Sequence, residues 1–336
     1  MKNKVLIIAE AGVNHNGSLK KAIKLIDIAA KVGADVVKFQ TFKADSLVTR
    51  YAPKAKYQIS KKIPKETQYQ MLKKLELKRE YHSLLIKHAK KRNIEFLSSG
   101  FDVDDINFLA KLSLKRFKIP SGEITNYLYL KKIASFKKKI ILSTGMANIK
   151  EIMAAIKVLC TSGLNKKQIT ILHCSTEYPA KFSGINLNAL NTLKKKLKTN
   201  IGYSDHTLGL EVAVAAVAMG AKVIEKHITI NKNLLGPDHK ASLNPEEFYN
   251  MVTAIRNIEK AMGNGKKIPN NIEIKNLKIV RKSIVAKKNI DKGELFSLGN
   301  ITSKRPGTGM SPMKIKKLLG KKSKKKYLVN QMIKYD

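Results

Sequence analysis

Short runs of β-branched and apolar residues alternate with amphipathic stretches from the start of the chain to about residue 262. Eight of these runs fit β-strands, and they lie at 4–10, 35–40, 94–99, 115–119, 139–143, 168–174, 200–204 and 222–228. The stretches between them repeat apolar residues every three or four positions, as helices do, most clearly at 18–32, 102–112, 148–160, 208–219 and 245–262. Because strict alternation implies a parallel sheet, and eight units fill about 260 residues, the pattern predicts a closed (β/α)8 TIM barrel.

An open, doubly wound sheet is the alternative to a barrel. Sheets of that kind that bind dinucleotides carry a loop with a fixed glycine spacing after the first strand. Here the first predicted strand is followed by residues 11–17, Ala-Gly-Val-Asn-His-Asn-Gly, which lack that spacing. We therefore favour the barrel.

The rest of the chain divides into an excursion and a tail. Turn-prone and polar residues at 43–70 interrupt the alternation after the second strand, and a long loop at a barrel rim is usually part of the active site or a lid. Glycine, asparagine and proline cluster shortly after residue 262, as in a linker. We predict a catalytic barrel at 1–265, a linker at 266–280 and a small C-terminal domain at 281–336.

The formal net charge of +41 raises the question of nucleic-acid binding, because clustered cations release counterions when they meet phosphates. Only seven of the 66 basic residues are arginine, however, and the lysines are scattered along presumed helix faces. Lysines without arginine forks or interleaved aromatic rings form a weak recognition surface. We favour a solvated surface with no specific nucleic-acid partner; nucleic-acid binding and a general attraction of anionic substrates are the alternatives.

The sequence carries no sign of a membrane span or of export. No apolar run approaches the ~18 residues that a membrane helix needs. The apolar stretch at 5–9 is too short for a signal peptide. The two cysteines, Cys160 and Cys174, have no metal-site spacing and allow at most one disulfide. We expect a cytoplasmic protein.

Polar residues stand at the carboxyl end of nearly every predicted strand, where barrels build their active sites. One such residue would mean little, because serine and threonine often cap the following helix, but a near-complete ring indicates a site. Its members are Glu10, Lys38, Gln40, Ser98, Ser99, Lys118, Ser121, Glu123, Ser143, Thr144, His173, Ser175, Ser204, His206, Glu225 and His227.

Two histidines occupy matching places at the ends of successive predicted strands, at His206 and His227. Imidazoles that converge at one rim commonly hold a divalent metal with positions left open for substrate. The carboxylates that we expect near them belong to Glu10, Glu123 and Asp238. The alternative is a pair of ordinary hydrogen-bonded histidines.

Two lysines and several hydroxyls in the ring suit a phosphate, because they offer two point charges and a set of donors. An unpaired ammonium inside a β-rich run is costly, which argues that these lysines have a purpose. The set is Lys38, Lys118, Ser121, Ser143 and Ser204.

Motifs along the whole chain resemble, in order, those of the sialic acid synthase family. They are AEAGVNHNG (9–17), KFQT (38–41), KIPSGE (118–123), STGM (143–146), HCSTEYP (173–179), SDHT (204–207), EKH (225–227) and GPDH (236–239). The tail contributes KRPG (304–307), which is similar to a loop of that family's antifreeze-like (SAF) domain. Within the family, the chain looks most like bacterial synthases of N,N′-diacetyllegionaminate, and next like N-acetylneuraminate synthases.

The resemblance implies a reaction and a set of roles. Members condense phosphoenolpyruvate with an N-acetylmannosamine-type aldehyde sugar and release phosphate. By resemblance, His206 and His227 hold a divalent metal, Mn²⁺ by preference, with Mg²⁺ or Co²⁺ as alternatives. The expected phosphoenolpyruvate pocket comprises Lys38, Ser99, Lys118, Ser121, Ser143, Thr176 and Ser204. The expected sugar contacts are Glu10, Gln40, Tyr178, Asp238 and, from the partner subunit of a domain-swapped homodimer, Arg305.

Catalytic roles are expected of Glu10, Glu123 and Lys38, with Glu123 suited to proton transfer or to handling the attacking water. One departure from the family pattern is Gly100, which stands where relatives usually have proline and loosens the backbone there. The alternative activity is that of a Schiff-base pyruvate aldolase or lyase, with Lys38, Lys118 or Lys226 as the nucleophile.

Overall fold

A computed structural model of the chain describes residues 4–59 and 66–334. Contacts between residues divide the chain into two compact units, Met1–Gly263 and Asn264–Asp336. We call them the barrel unit and the C-terminal unit. Each has its own hydrophobic core.

Eight parallel strands form the barrel unit, and the sheet closes because the last strand pairs with the first. The predicted (β/α)8 fold is therefore confirmed, and every predicted strand overlaps an observed one. The strands are β1 Leu6–Gly12, β2 Val36–Thr41, β3 Glu95–Gly100, β4 Arg116–Ile119, β5 Lys139–Ser143, β6 Ile169–Cys174, β7 Asn200–Asp205 and β8 Val223–His227.

Helices follow the strands and cover the outside of the sheet. In the barrel unit they are α1 Leu19–Lys31, α2 Ala44–Leu47, α3 Gln68–Leu75, α4 Tyr81–Lys91, α5 Val103–Lys111, α6 Tyr127–Ser135, α7 Ile149–Thr161, α8 Ala189–Leu197, α9 Glu211–Ala218 and α10 Pro245–Ala261. Local sequence sets their starts: Asn148 and Asn244, for example, cap α7 and α10 through capping boxes. No helix in the described ranges has both the length and the apolar composition that crossing a membrane requires.

The excursion predicted at 43–70 is partly helical. It contains α2, a 3-10 turn at Lys56–Gln58 and the start of α3. Residues 60–65 lie outside the described ranges. Within the excursion, the ammonium of Lys54 lies 3.2 Å from a carboxylate oxygen of Glu66, and the two side chains form a buried ion pair.

The inside of the barrel is built in layers, because alternate residues of a strand face the same side of the sheet. Near the amino ends an apolar layer fills the interior, made of Ile8, Val36, Leu97, Ile141, Leu172 and Val223. Two residues further along the same six strands, the interior positions are polar: Glu10, Lys38, Ser99, Ser143, Cys174 and Glu225. The apolar layer thus forms a floor beneath a polar chamber that opens at the carboxyl ends of the strands. We call that opening the barrel mouth.

The C-terminal unit is small and is built mainly of loops. Its strands β9 (Ser283–Ala286) and β10 (Ile301–Lys304) pair antiparallel. Side chains such as Ile284, Phe296 and Tyr327 form its buried core. A helix, α11 (Asn271–Val280), occupies most of the segment predicted as a linker.

We expect that Gly202→Ala destabilises the barrel. A β-carbon at Gly202 would lie 2.5 Å from the backbone oxygen of Val223, and a backbone atom has no rotamer that relieves the clash. Overpacking of this kind costs about 1–3 kcal/mol, which urea unfolding would measure. Gly184→Ala is the matched control, because nothing lies within 4 Å of the added carbon there. Equal unfolding midpoints for the two variants would contradict the close approach of Gly202 to the backbone of Val223.

Candidate active site

Lys38 lies in the polar chamber between two carboxylates. Its ammonium is 3.0 Å from Glu10 Oε2 and 3.6 Å from Glu225 Oε2, and it donates to Ser99 Oγ at 3.2 Å. All of these side chains are almost completely buried. The two carboxylates raise the pKa of Lys38 although burial opposes them, so its positive charge is secure.

Lys118 reaches the same chamber from β4. It donates to Ser143 Oγ at 2.7 Å and lies 3.6 Å from Glu225 Oε1. Ser204 donates to that same oxygen at 3.1 Å. Glu225, from β8, therefore contacts both lysines, which come from β2 and β4. We call Glu10, Lys38, Lys118 and Glu225 the buried ion cluster.

The charges of the buried ion cluster favour an anionic ligand. Burial raises the pKa of Glu10, and the neighbouring Glu225 adds to that shift. Burial also acts to raise the pKa of Glu225, but Lys118 and Lys38 outweigh it and hold that pKa below its usual range. Burial lowers the pKa of Lys118, and the neighbouring Glu225 opposes that shift. Two lysines with the hydroxyls of Ser99 and Ser143 beside them suit a phosphate or carboxylate ligand.

The two predicted histidines meet at the barrel mouth. The rings of His206 and His227 have centroids 5.6 Å apart. His206 Nδ1 bonds the carbonyl oxygen of Ser175, which can only accept, so Nδ1 carries the proton and Nε2 presents its lone pair. Burial lowers the pKa of His206 to about 4, so the ring is neutral at physiological pH.

His227 has a free ring nitrogen. In the described part of the chain its Nδ1 is buried and has no hydrogen-bond partner. A carboxylate oxygen of Asp238 lies 3.9 Å from that nitrogen. Burial lowers the pKa of His227 well below its ordinary value and raises that of Asp238 to about 6.

These residues fit a divalent metal that keeps open positions. The donor set consists of two neutral imidazoles with a carboxylate beside them, and one imidazole nitrogen is otherwise unsatisfied. The Nδ1 bond of His206 to a carbonyl is the arrangement that commonly orients a metal-binding histidine. Within residues 4–59 and 66–334, no three His, Cys, Asp or Glu side chains are already arranged as a complete ligand set.

Glu10 and Gln40 lie beside His227 because β1 bulges at the mouth. The pairing of β1 with β2 shifts between Glu10 and Gly12, and Gly12 has a φ of +51°. A β-carbon at Gly12 would lie 3.4–3.5 Å from Glu10 Oε1, Gln40 Nε2 and His227 Cε1. Glycine therefore leaves open the space that the two predicted sugar-binding side chains share with the imidazole.

Aromatic rings cover the histidines. The ring of Tyr178 is 4.2 Å from that of His206 and 5.8 Å from that of His227. Tyr57, in the excursion, packs on Tyr178 at 4.9 Å. The excursion thus reaches the barrel mouth, as predicted for an active-site loop.

The remaining predicted residues of the barrel lie on its rim. Ser121 Oγ accepts from Gly145 N at 3.0 Å, and a β-carbon at Gly145 would lie 2.5 Å from Thr176 Cγ2. Glu123 is half-buried, accepts from Asn126 at 2.7 Å, and has a pKa that burial raises. Glu123 thus bonds a side chain of the loop that follows β4 and not the imidazoles, so its catalytic role stays a prediction.

Arg305 belongs to the C-terminal unit. Its Nε donates to the carbonyl of Val280 at 3.0 Å, and the side chain is exposed. The expected contact of Arg305 with a sugar in a neighbouring subunit stays a prediction.

The structure adds residues to which the sequence analysis assigned no role. Glu225 was a member of the ring of strand ends, but its place between two lysines was not foreseen. In β6 the interior residue is Cys174, two positions after Leu172, whereas His173 faces outward and bonds the carbonyl of Ile185 at 2.8 Å. Alternation along β6 and β8 gives both inward positions once the structure has shown which residues form the apolar floor.

Comparisons with known proteins agree with this geometry. The sequence model of the NeuB family matches residues 25–267, and that of the SAF domain matches residues 281–336. The N,N′-diacetyllegionaminic acid synthase of Campylobacter jejuni is 56% identical over 98% of this chain and 99% of that protein. The corresponding synthase of Legionella pneumophila is 47% identical over 94% of this chain and 89% of that protein. The crystal structure of an N-acetylneuraminic acid synthetase from Leptospira borgpetersenii, in complex with citrate, is similar with a TM-score of 0.73 and 35% identity, covering 82% of this chain and 90% of that one.

Buried neutral histidines make stability depend on pH. Burial lowers the pKa values of His15, His82, His206 and His239 to about 4, from 6.5. At these four positions the unfolded chain binds more protons than the folded one between about pH 6.5 and pH 4, so the stability that they contribute is present above pH 6.5 and is lost as the pH falls towards 4.

We expect these four histidines to lower the free energy of unfolding, measured in urea without metal, as the pH falls from about 6.5 to 4.5. The buried carboxyls of Glu10 and Asp238, whose raised pKa values let the folded chain bind protons there, oppose this fall. His82 lies outside the barrel mouth and contributes up to about 3 kcal/mol to this dependence. His82→Gln should make the slope shallower by roughly one proton. An unchanged slope in the variant would show that His82 is not held neutral by burial.

Proposed function

The chain belongs to the NeuB family, and from this we propose that it condenses phosphoenolpyruvate, 2,4-diacetamido-2,4,6-trideoxymannose and water to N,N′-diacetyllegionaminate and phosphate. The observation that carries the choice of product is the 56% identity to a synthase of that name over nearly the full length of both proteins. N-acetylmannosamine, which would give N-acetylneuraminate, is the second sugar to consider.

The buried ion cluster and its hydroxyls form the phosphoenolpyruvate pocket in this proposal. Lys118 and Ser143, already 2.7 Å apart, present a charge and a donor to one anionic group of the substrate. Lys38 and Ser99, 3.2 Å apart, do so for another. Ser121, which follows β4, Thr176, which follows β6, and Ser204, in β7, complete the pocket. Two lysines, each with a serine hydroxyl beside it, suit a substrate with both a phosphate and a carboxylate.

His206 and His227 would hold the divalent ion, with Asp238 beside them. When bound there, the ion would polarise the aldehyde oxygen of the sugar as a Lewis acid. Mn²⁺ is the proposed metal, with Mg²⁺ or Co²⁺ as alternatives. Glu10, Gln40 and Tyr178, which surround the two imidazoles, would orient the sugar.

The chemistry asks the protein to hold two reactants together and to manage protons. Carbon C3 of the enol phosphate attacks the aldehyde carbon, negative charge grows on the aldehyde oxygen, and positive charge grows at C2 of the former enol. Glu10, whose raised pKa lets it carry a proton near neutral pH, is placed to protonate that oxygen. Water adds to C2 and gives its proton to Glu123. The bond between C2 and the bridging oxygen of the phosphate then breaks, and its electron pair leaves with phosphate. The new hydroxyl gives its proton to the departing phosphate, and C2 becomes the ketone carbon.

The alternative of a Schiff-base aldolase receives no support from the relatives. The place of Lys226 also argues against it, because that ammonium is turned away from the chamber and pairs with Asp205 at 2.7 Å. Lys38 is held in its charged form by two carboxylates, whereas a Schiff-base lysine must lose its proton.

Assembly and location are part of the proposal. We propose a domain-swapped homodimer in the cytoplasm, in which Arg305 of one protomer contacts the sugar bound in the barrel of its partner. What supports the assembly is the SAF-domain match over residues 281–336 and the exposed position of Arg305.

The function is tested by measuring phosphate release from phosphoenolpyruvate. We expect release only when a sugar is also present, loss of release with EDTA, and a higher kcat/KM for the 2,4-diacetamido sugar than for N-acetylmannosamine. A preference for N-acetylmannosamine would overturn the proposed sugar. A pyruvate adduct trapped with borohydride, with no phosphate release, would overturn the reaction class.

His227→Ala is expected to lose Mn²⁺ binding in isothermal titration calorimetry and to lose activity, while the far-UV circular dichroism stays that of the folded protein. The reason is that the variant removes one of two proposed ligands. His173→Ala is the control, because that imidazole lies on the outer face of the next strand but one. Retained Mn²⁺ affinity in His227→Ala would contradict the assignment of this ligand.

A further inference from the structure

A fully buried ion pair lies behind the barrel mouth, on the outer face of the sheet. The ammonium of Lys226 is 2.7 Å from Asp205 Oδ2, and neither side chain has any exposed surface. The same ammonium also donates to the backbone oxygen of Thr207 at 2.6 Å. It belongs to β8, and both of its partners belong to the end of β7 and the residues that follow.

The two members of the pair are sequence neighbours of the two imidazoles. Because side chains alternate across a strand, Lys226 faces outward between Glu225 and His227, which face inward. Asp205 likewise faces outward directly before His206. The pair therefore joins β7 to β8 on the side of the sheet opposite the imidazoles.

The ammonium of Lys226 bonds the two sequence neighbours of His206. One goes to the residue before it, Asp205, and the other to the residue after it, Thr207. Asp205 Oδ1 also accepts from the amide and the hydroxyl of Thr207, at 3.0 and 2.8 Å. A single side chain adjacent to His227 thus bonds the side chain of the residue before His206 and the backbone oxygen of the residue after it.

We propose that Lys226 and Asp205 are positioning residues that set the separation and orientation of His206 and His227. A buried ion pair is a poor source of net stability, because desolvation of the two charges offsets their attraction. Its hydrogen bonds are directional, however, so they can fix the position of the end of β7 relative to β8, which apolar contacts would not do. The inference rests on the proposed function, since its consequence is measured in binding of the divalent ion.

Three variants separate positioning from stability: Asp205→Asn, Lys226→Met and the double variant. Each single change leaves one charge buried without its partner, so it should lower both the urea midpoint and the Mn²⁺ affinity. Outer-shell partners of metal ligands typically affect affinity by about 10- to 100-fold, and we expect a loss of that order. The double variant buries no unpaired charge, so it should recover much of the urea midpoint. It still lacks the Lys226 ammonium, which donates to both sequence neighbours of His206, so its Mn²⁺ affinity should stay low.

Glu95→Gln is the matched control. Glu95 and Arg116 are the first residues of β3 and β4, and their bidentate pair, at 2.7 and 3.0 Å, also joins neighbouring strands, but at the amino end of the barrel. The control should lower the urea midpoint and leave the Mn²⁺ affinity unchanged.

The outcomes distinguish the inference from the function on which it rests. If the wild-type protein does not bind Mn²⁺, the metal part of the proposed function fails and the inference fails with it. If the wild type binds and His227→Ala does not, but Asp205→Asn binds as the wild type does, the positioning inference alone is overturned. Recovery of both the urea midpoint and the affinity in the double variant would also overturn it, because the pair would then act through stability only.

Discussion

The buried contact of Glu225 with Lys38 and Lys118 is the interaction on which the barrel mouth depends. Two ammonium groups in the interior of a protein repel each other and lose hydration, so they need a carboxylate between them. Glu225 supplies it from a third strand, and serine hydroxyls take up the remaining donors. The interior of the barrel mouth is thereby kept charged, which suits an anionic ligand.

The same strands organise the site from both faces. On the inner face, β7 and β8 present Ser204, His206, Glu225 and His227 to the chamber. On the outer face, the residues between them form an ion pair that closes the two strands on each other. The proposed divalent-ion site and the proposed phosphate pocket would therefore share the support of these two strands. Placing a site on strands rather than on loops gives this precision.

The lysines that give the chain its positive charge fall into two groups, one at the surface and one buried in the barrel. Most of the lysines lie at the surface, where they are solvated and act only through a general field. Three others, Lys38, Lys118 and Lys226, are buried, and each pairs with a carboxylate. Composition alone does not separate the two groups, because a net charge counts residues without their positions.

The amino-acid sequence by itself determined the eightfold alternation, the ends of the strands and the motifs that name the family, since periodicity and caps are local properties of the chain. Only the tertiary structure decided that residues as far apart as Lys38, Lys118 and Glu225 meet, that Cys174 rather than His173 faces the chamber, and that Lys226 turns outward to Asp205. Those contacts depend on how the sheet closes and on which face each strand turns inward. Closure is a property of all eight strands together, so no single stretch of sequence carries it.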